Sequence, residues 1–258
     1  ISVDQLAYAQ SQAGKAQAEV FIRQVQFNLP AGSVLVVAGA SASGKTTLAK
    51  LLVGLVPPTS GRVRYDGVDV HGWDKDRLGP YVGYLAQEVD LFDGRVVDNI
   101  CRFNSPDKQA LSEVIALLGL ADWINQLPEG LNTQIGQSGV PLSGGERQLL
   151  GLARALYGKP RIVVLDEPNA NLDTAAERIF QQAIARLKQQ GTTFIIISHL
   201  QHILNIADFM LVMCQGQMIR YGKPNDVLAS FQPDAAKAAK AKAINPQTAK
   251  PPVVKPPV

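Results

Sequence analysis

Residues 39 to 46 read GASASGKT, a spacing in which backbone N–H groups, one lysine and one hydroxyl can all meet a single polyphosphate. Gly39 and Gly44 let the chain turn tightly, so the N–H groups along Ala40, Ser41, Ala42 and Ser43 can point at a β-phosphate above the start of the next helix. Lys45 then reaches the β- and γ-oxygens. Thr46, followed by Thr47, offers a hydroxyl to a Mg²⁺ that bridges the same two phosphates and offsets their charge. A chance glycine-rich turn would lack the apolar strand before it and the amphipathic helix after it, and both are present here.

A second group of candidates lies at IVVLDEP. Asp166 ends an apolar run, where its carboxylate can hold Mg²⁺ through water. Glu167, one residue on, is placed to orient and deprotonate a water in an in-line displacement. His199 follows another apolar run, and an imidazole there could stabilise charge as it develops. On the residues alone, a plain strand-end histidine is an equal reading. LSGGER, at 142 to 147, puts Ser143, Gly144 and Gly145 ahead of a helical pattern through Leu149, Leu150, Leu152, Ala153 and Ala155. Helix N-termini attract anions. A simple N-cap would account for Ser143 but not for the paired glycines. A chain that already has one phosphate loop has little use for a second on the same γ-phosphate. The economical inference is that this turn serves a neighbour's nucleotide.

These residues need a scaffold, and the hydrophobic pattern supplies one. SVLVVAG at 33 to 39 is a β-branched run, and TTLAKLLVGL follows with Leu48, Leu51, Leu52 and Leu55 at helical spacing, stopped by Pro57 and Pro58. RIVVLD at 161 to 166 and TTFIIIS at 192 to 198 are continuous apolar runs, as expected of strands covered on both faces. Between them Ala176, Ile179, Phe180, Ala183, Ile184 and Leu187 share one helix face, with Gly191 placed to cap it. GRVRYDGVDV at 61 to 70 alternates around an Asp-Gly turn, and the runs 1–6 and 20–27 read similarly, so an antiparallel layer should lie beside a parallel core. FMLVMCQGQMIRYG at 209 to 222 reads as a closing hairpin around Gly216. Residues 106 to 132, with Leu111, Val114, Ile115, Leu118 and Ile124, read as a helical insertion.

Composition bounds the rest. A chain of 258 residues is long enough for one large α/β domain with an insertion, and no stretch approaches the ~18 continuous apolar residues of a membrane helix. From Gln232 onward there are five lysines and one aspartate, a charge of +4, so the remaining chain sits at −1 against a total of +3. No nucleic-acid footprint results. This Ala/Lys/Pro-rich tail, 232–258, lacks core-forming residues and is expected to be disordered, with partner docking the less common use of such an end. Cys101 and Cys214 are read as two free, buried structural thiols in a reducing compartment. His71 and His202 are read as surface residues. The chain begins at Ile1 without Met or a targeting segment, which suggests a piece of a longer protein whose missing part lies upstream.

GASASGKT, Gln87, LSGGE, VVLDE, NLD at 171 to 173 and His199 resemble, in order and spacing, the nucleotide-binding domains of ABC transporters. The resemblance covers about 1–231 and implies an α/β fold. It would have a P-loop NTPase core with a mainly parallel sheet, an antiparallel β subdomain, and a helical signature subdomain at about 88–158. It implies ATP and Mg²⁺ as ligands, and a head-to-tail homodimer in which each ATP lies between one phosphate loop and the partner's LSGGE turn. On that resemblance Ser143, Gly144 and Gly145 contact the γ-phosphate in trans, Gln87 senses Mg²⁺ and the attacking water, His199 contacts the γ-phosphate, and Asp173 lies in the turn that links the two sites. The family also stacks an aromatic residue on adenine. Tyr8 is the nearest candidate, about two residues early, with Gln10 in the usual place. Ala42 stands where glycine is common, and YLAQ where YLPQ is common.

EVDLFDGRVVDNI after Gln87 and TQIGQSGVP before the signature turn are similar to exporter segments, although Gln137 stands where exporters usually carry glutamate. DGVDVHGWDKDRLGPYVGYLAQEVDLFDGRVVDNI and ARALYGKPRIVVLDEPNANLD resemble the type I secretion ATPases that export proteases and lipases from Gram-negative bacteria. That resemblance implies an upstream six-helix membrane domain, a membrane-fusion protein, an outer-membrane channel, and a place on the cytoplasmic face of the inner membrane. Two alternatives belong to other classes. One is a regulatory module that dimerises on ATP but turns over poorly, against which the intact Lys45, Asp166, Glu167 and His199 speak. The other is a non-transport ABC ATPase, which would carry a long coiled-coil insertion or a second cassette.

Overall fold

The computed structural model describes residues 1–10, 18–137, 139–198 and 201–231. His199, the side chain of His202 and the 232–258 tail, with the readings given to them above, lie outside the described residues. In chain order, the described strands are β1 (Ser2–Gln10), β2 (Glu19–Asn28), β3 (Val34–Gly39), β4 (Ser60–Tyr65), β5 (Val68–Asp69), β6 (Val82–Leu85), β7 (Gly94–Arg95), β8 (Gln134–Ile135), β9 (Ile162–Asp166), β10 (Thr193–Ile197), β11 (Phe209–Cys214) and β12 (Gln217–Gly222). The helices are α1 (Lys45–Leu52), α2 (Lys75–Leu78), α3 (Val96–Ile100), α4 (Lys108–Leu117), α5 (Ala121–Gln126), α6 (Gly144–Leu156), α7 (Thr174–Gln189) and α8 (Pro224–Ala229).

The six-stranded sheet runs β12-β11-β3-β10-β9-β6, with every neighbour parallel except the β11–β12 hairpin. The expected α/β class, with its mainly parallel core, is borne out. Alternate residues of β3 enter different cores. Val34 and Val36 pack with α6, α7 and the helical insertion, while Leu35 and Val37 pack with α1 and the antiparallel sheet. Both faces are therefore dry, and each fully buried Val, Leu or Ile contributes roughly 1.5–3 kcal/mol. This is why β3, β9 and β10 are unbroken apolar runs rather than alternating ones.

A four-stranded antiparallel sheet, β2-β1-β4-β5, forms the second layer. Asp66 and Gly67 both take positive φ in the turn between β4 and β5, as the Asp-Gly signal requires. The helical insertion divides into α4 and α5 at Gly119, whose φ is +64. Leu111, Val114, Leu118 and Ile124 are buried there and Ile115 is half-buried. The short pair β7–β8 joins the segment after Gln87 to the segment before the signature turn, so the two stretches similar to exporter sequences lie side by side.

Three expectations need correction. Helix α1 ends at Leu52, well before Pro57 and Pro58. Gly54, at φ +74, donates to Leu51 O and Leu55 N donates to Lys50 O, a left-handed cap that the prolines merely follow. Leu55 thus lies beyond the helix and is 61% exposed. Cys214 is exposed while Cys101 is buried, because Cys214 ends β11 at the rim of its hairpin. His71 is half-buried, with its Nε2 sealed from solvent and lacking a partner; burial and the nearby Lys75 hold its pKa below the usual histidine value.

Candidate active site

The sheet order sets the site. Strands β3, β10, β9 and β6 are parallel neighbours, so the residues after their carboxyl ends form one row: the phosphate loop after β3, Ser198 after β10, Asp166 and Glu167 at the end of β9, and Gln87 after β6. Ligands of open parallel sheets bind in the crevice outside this edge. A cavity of about 520 Å³ opens there, lined by Ser41, Ala42, Gly44, Lys45, Thr46, Thr47, Gln87 and Glu167. Its other wall comes from β2 and the β11–β12 turn, through Val20, Phe21, Arg23, Gln215 and Gly216.

The phosphate loop folds for local reasons. Gly39 (φ +151), Ala42 (φ +61) and Gly44 (φ +97) reverse the chain, and Ser43 N donates to Ala40 O at 3.2 Å. Ala42 takes the left-handed region although it carries a Cβ, a strain a glycine would not have. A Cβ on Gly39 would meet Met213 O at 2.3 Å, so glycine is required for β11 to approach. Lys45 is buried and donates from Nζ to Gly39 O and Ala40 O, each at 2.8 Å. Burial holds the Lys45 ammonium below the usual lysine pKa, and the carboxylates of Glu167 and Asp166 oppose that shift.

Asp166 is 1% exposed. Burial raises its pKa, Glu167 adds to the rise, and a hydrogen bond with the Thr46 side chain and the charge of Lys45 counter it. Its Oδ2 has no hydrogen-bond partner. A buried carboxylate oxygen without a partner, beside a threonine hydroxyl, fits a hard cation whose remaining ligands come from phosphate and water. Among the described residues no cluster of three His, Cys, Asp or Glu forms an all-protein metal cage. Glu167 takes φ +49, its N–H donating to Ile197 O at 3.0 Å and its carbonyl accepting from Ala170 N at 3.2 Å.

The signature turn is elsewhere. Ser143, Gly144 and Gly145 do not line this cavity. Ser143 caps α6, accepting from Glu146 N, while the Glu146 carboxylate accepts from Ser143 N at 2.7 Å and from Trp123 Nε1 at 2.8 Å. These hydrogen bonds hold Glu146 below the usual carboxylate pKa. Gly145 has a further constraint, since a Cβ there would lie 3.0 Å from Asn171 O. The NANLD turn thus rests on the signature glycines within one chain. Asp173 caps α7, accepting from Ala176 N at 2.8 Å. Tyr8 lies on β1 with its ring 6.1 Å from Phe21, and it is Phe21 that lines the cavity.

Sequence reasoning missed Arg23, Phe21 and Gln215, which carry no motif, and Gln148, a polar residue buried inside α6. A glutamine at a position the helical pattern assigns to the core was the available signal.

The profile of the ABC transporter family matches residues 22–170. This chain belongs to the ABC transporter family. As an ABC ATP-binding domain it binds ATP, in a family that hydrolyses it. The type I secretion system ATP-binding protein PrsD of Rhizobium meliloti (strain 1021) is 42% identical over 217 residues, 83% of this chain and 37% of that protein. An ATP-dependent lipid A-core flippase of Chromohalobacter salexigens is 37% identical, over 88% of this chain and 38% of the flippase. The structure of a bacterial Atm1-family ABC exporter with ATP bound aligns with a TM-score of 0.79 at 27% identity, covering 93% of this chain and 42% of the exporter. The chain thus spans between a third and a half of the length of these relatives. No helix among the described residues is long and apolar enough to cross a membrane.

Proposed function

We propose that this chain is the ATP-hydrolysing motor of an ABC exporter, that two copies pair head to tail, and that the exported cargo is a protein. One observation carries the motor reading. Lys45, Thr46, Gln87 and Glu167 share one cavity, with Asp166 hydrogen-bonded to Thr46, while Ser143, Gly144 and Gly145 lie off it and are left for a partner's nucleotide.

In this reading the loop N–H groups from Ala40 to Gly44 receive the β-phosphate, and Lys45 Nζ exchanges Gly39 O and Ala40 O for β- and γ-oxygens. Thr46 and Asp166, with Gln87 at the rim, would hold Mg²⁺, which when bound supplies positive charge to those oxygens. Gln87 orients the attacking water and Glu167 accepts its proton as the water oxygen bonds to the γ-phosphorus and the bond from that phosphorus to the β–γ bridging oxygen breaks, so that ADP leaves with the electron pair and inorganic phosphate is formed. The partner's Ser143 and glycines close the far side and exclude solvent, so charge developing on the γ-oxygens meets fixed donors rather than water. Closure on ATP and reopening after hydrolysis is the motion that would drive a membrane domain.

The ATPase unit spans 1–231 in this reading, with its helical part at about 88–158, and works at the cytoplasmic face of a bacterial inner membrane beside a transmembrane domain. The name and identity of the rhizobial relative and the NANLD turn favour protein secretion with a membrane-fusion protein and an outer-membrane channel. The flippase relatives, at identities only slightly lower, favour a lipid cargo as the second reading.

The test is Glu167→Gln. It should keep ATP binding, lose about 10³-fold in turnover, equivalent to ~4 kcal/mol of barrier, and accumulate an ATP-bound dimer. A variant that hydrolyses ATP at the wild-type rate would remove Glu167 from the role.

A further inference from the structure

Gln148 sits on α6, five positions past Ser143, and is 1% exposed. Its Nε2 donates to Pro168 O at 2.9 Å and stands 3.5 Å from Glu167 O. A glutamine buried to this degree is costly unless its polar atoms are used, so the position calls for a reason beyond packing. Glu167 supplies one. Its left-handed backbone is strained for a residue with a Cβ and persists only where the surroundings fix it. Ile197 O holds its N–H, Ala170 N holds its carbonyl, and Gln148 holds the next carbonyl along.

We propose that Gln148 is a positioning residue for hydrolysis: it fixes the Glu167–Pro168 backbone so that the Glu167 carboxylate stays on the γ-phosphate side of the cavity. The inference rests on the reading of Glu167 as the proton acceptor. It also gives the signature helix a second duty. The helix whose N-terminus would meet the partner's nucleotide holds, little more than one turn later, the base of the chain's own site.

A residue that merely fills space would be replaced well by an apolar side chain of similar length. Gln148→Met removes the donor and keeps the volume, so kcat should fall about 10- to 100-fold, with KM for ATP within about twofold and ATP-driven dimerisation kept. Gln148→Glu is nearly isosteric and provides a pH readout. Only its protonated carboxyl can donate to Pro168 O, so its turnover relative to wild type should rise as pH falls. In a Glu167→Gln background, Gln148→Met should leave the residual rate unchanged, because the group it positions is gone.

Gln148→Met with wild-type kcat, a Gln148→Glu deficit that ignores pH, or a further tenfold loss in the Glu167→Gln background would each overturn the proposal while leaving Glu167 in place. Near wild-type turnover by Glu167→Gln alone would instead sink the reading beneath it. Should both Gln148 variants fail to fold, the residue is one the fold requires and the positioning role is refuted.

Discussion

Gly216, in the turn between β11 and β12, donates its N–H to Ser43 O at 3.0 Å, and its own carbonyl accepts from Arg23 N at 2.8 Å. The phosphate loop is thereby braced from outside its own strand and helix, by a hairpin residue 173 positions after Ser43 in the chain. Gln215 (φ +48) and Gly216 (φ +77) give the turn the left-handed pair that a two-residue hairpin needs.

Gly216→Ala should therefore act on nucleotide affinity. Its Cβ would stand 2.5 Å from Phe21 O, a backbone atom that cannot swing aside, and its φ is unfavourable for alanine. The turn must shift and pull on Ser43. ATP affinity measured by titration should drop about tenfold, with a melting temperature lower by several degrees. Gly67→Ala is the control, for it shares a positive φ but meets nothing within 4 Å. Equal effects on affinity from the two variants would mean that the brace does not matter.

Head-to-tail pairing predicts complementation. A Lys45→Ala chain has a ruined phosphate loop and an intact signature turn, and a Ser143→Ala chain has the reverse. Each heterodimer rebuilds one complete site, so an equal mixture should reach about a quarter of the wild-type rate if the two sites fire independently in a twofold dimer. Ser143 also caps α6, so loss of that cap, ~1 kcal/mol, must first be shown by unfolding to leave the chain folded. A mixture no faster than the average of its parts would mean that the LSGGE turn does not complete a partner's site.

The core was legible because physics gives it a simple signature. Unbroken apolar runs such as that of β10 arise where both faces are covered, and GASASGKT and IVVLDE are local, so their carboxyl-end row follows once the strands are parallel neighbours, while LSGGE is local too but lies off that row. What was hidden depends on contacts across long sequence gaps. Nothing about Gly216 announces that it touches Ser43, and nothing in TLAKLLVGLVPP shows that Gly54, rather than the prolines, ends α1. Its aromatic ring singles out Tyr8 in the sequence, whereas Phe21, 6.1 Å away ring to ring, lines the cavity with no motif to announce it. Gln148 lay in plain view as a polar residue on an apolar helix face, but its partner carbonyls exist only after folding.

The two thiols should separate cleanly. Cys214 is exposed, whereas Cys101 is buried, and burial raises its thiol pKa. A thiol-specific reagent should label one cysteine of the folded chain within minutes at pH 7.5 and the second only on unfolding, since the thiolate is the reactive form. Peptide mapping should find the fast label at Cys214. Labelling at Cys101 in the folded chain would show that the helical part opens far more readily than its packing implies.

Asp166 offers a test in which stability and function move in opposite directions. Its folded-state pKa is raised, chiefly by burial, so the native state holds this proton more tightly than the unfolded chain does. The stability it contributes is present below the unfolded carboxylate pKa and lost as pH rises through the folded one. At neutral pH, then, the ionised carboxylate burdens the nucleotide-free domain. Asp166→Asn should raise the urea midpoint at pH 7 without ligand, and the gap from wild type should shrink as pH falls through the carboxylate range. Adding ATP with Mg²⁺ should reverse the ranking, because the wild type gains RT ln(1 + [L]/Kd) from a ligand the variant holds poorly. A variant less stable than wild type at pH 7 without ligand would mean that Asp166 is held mainly by its bond to Thr46 and the charge of Lys45. The site would then not be poised for a cation, and the unpartnered Oδ2 would need another explanation.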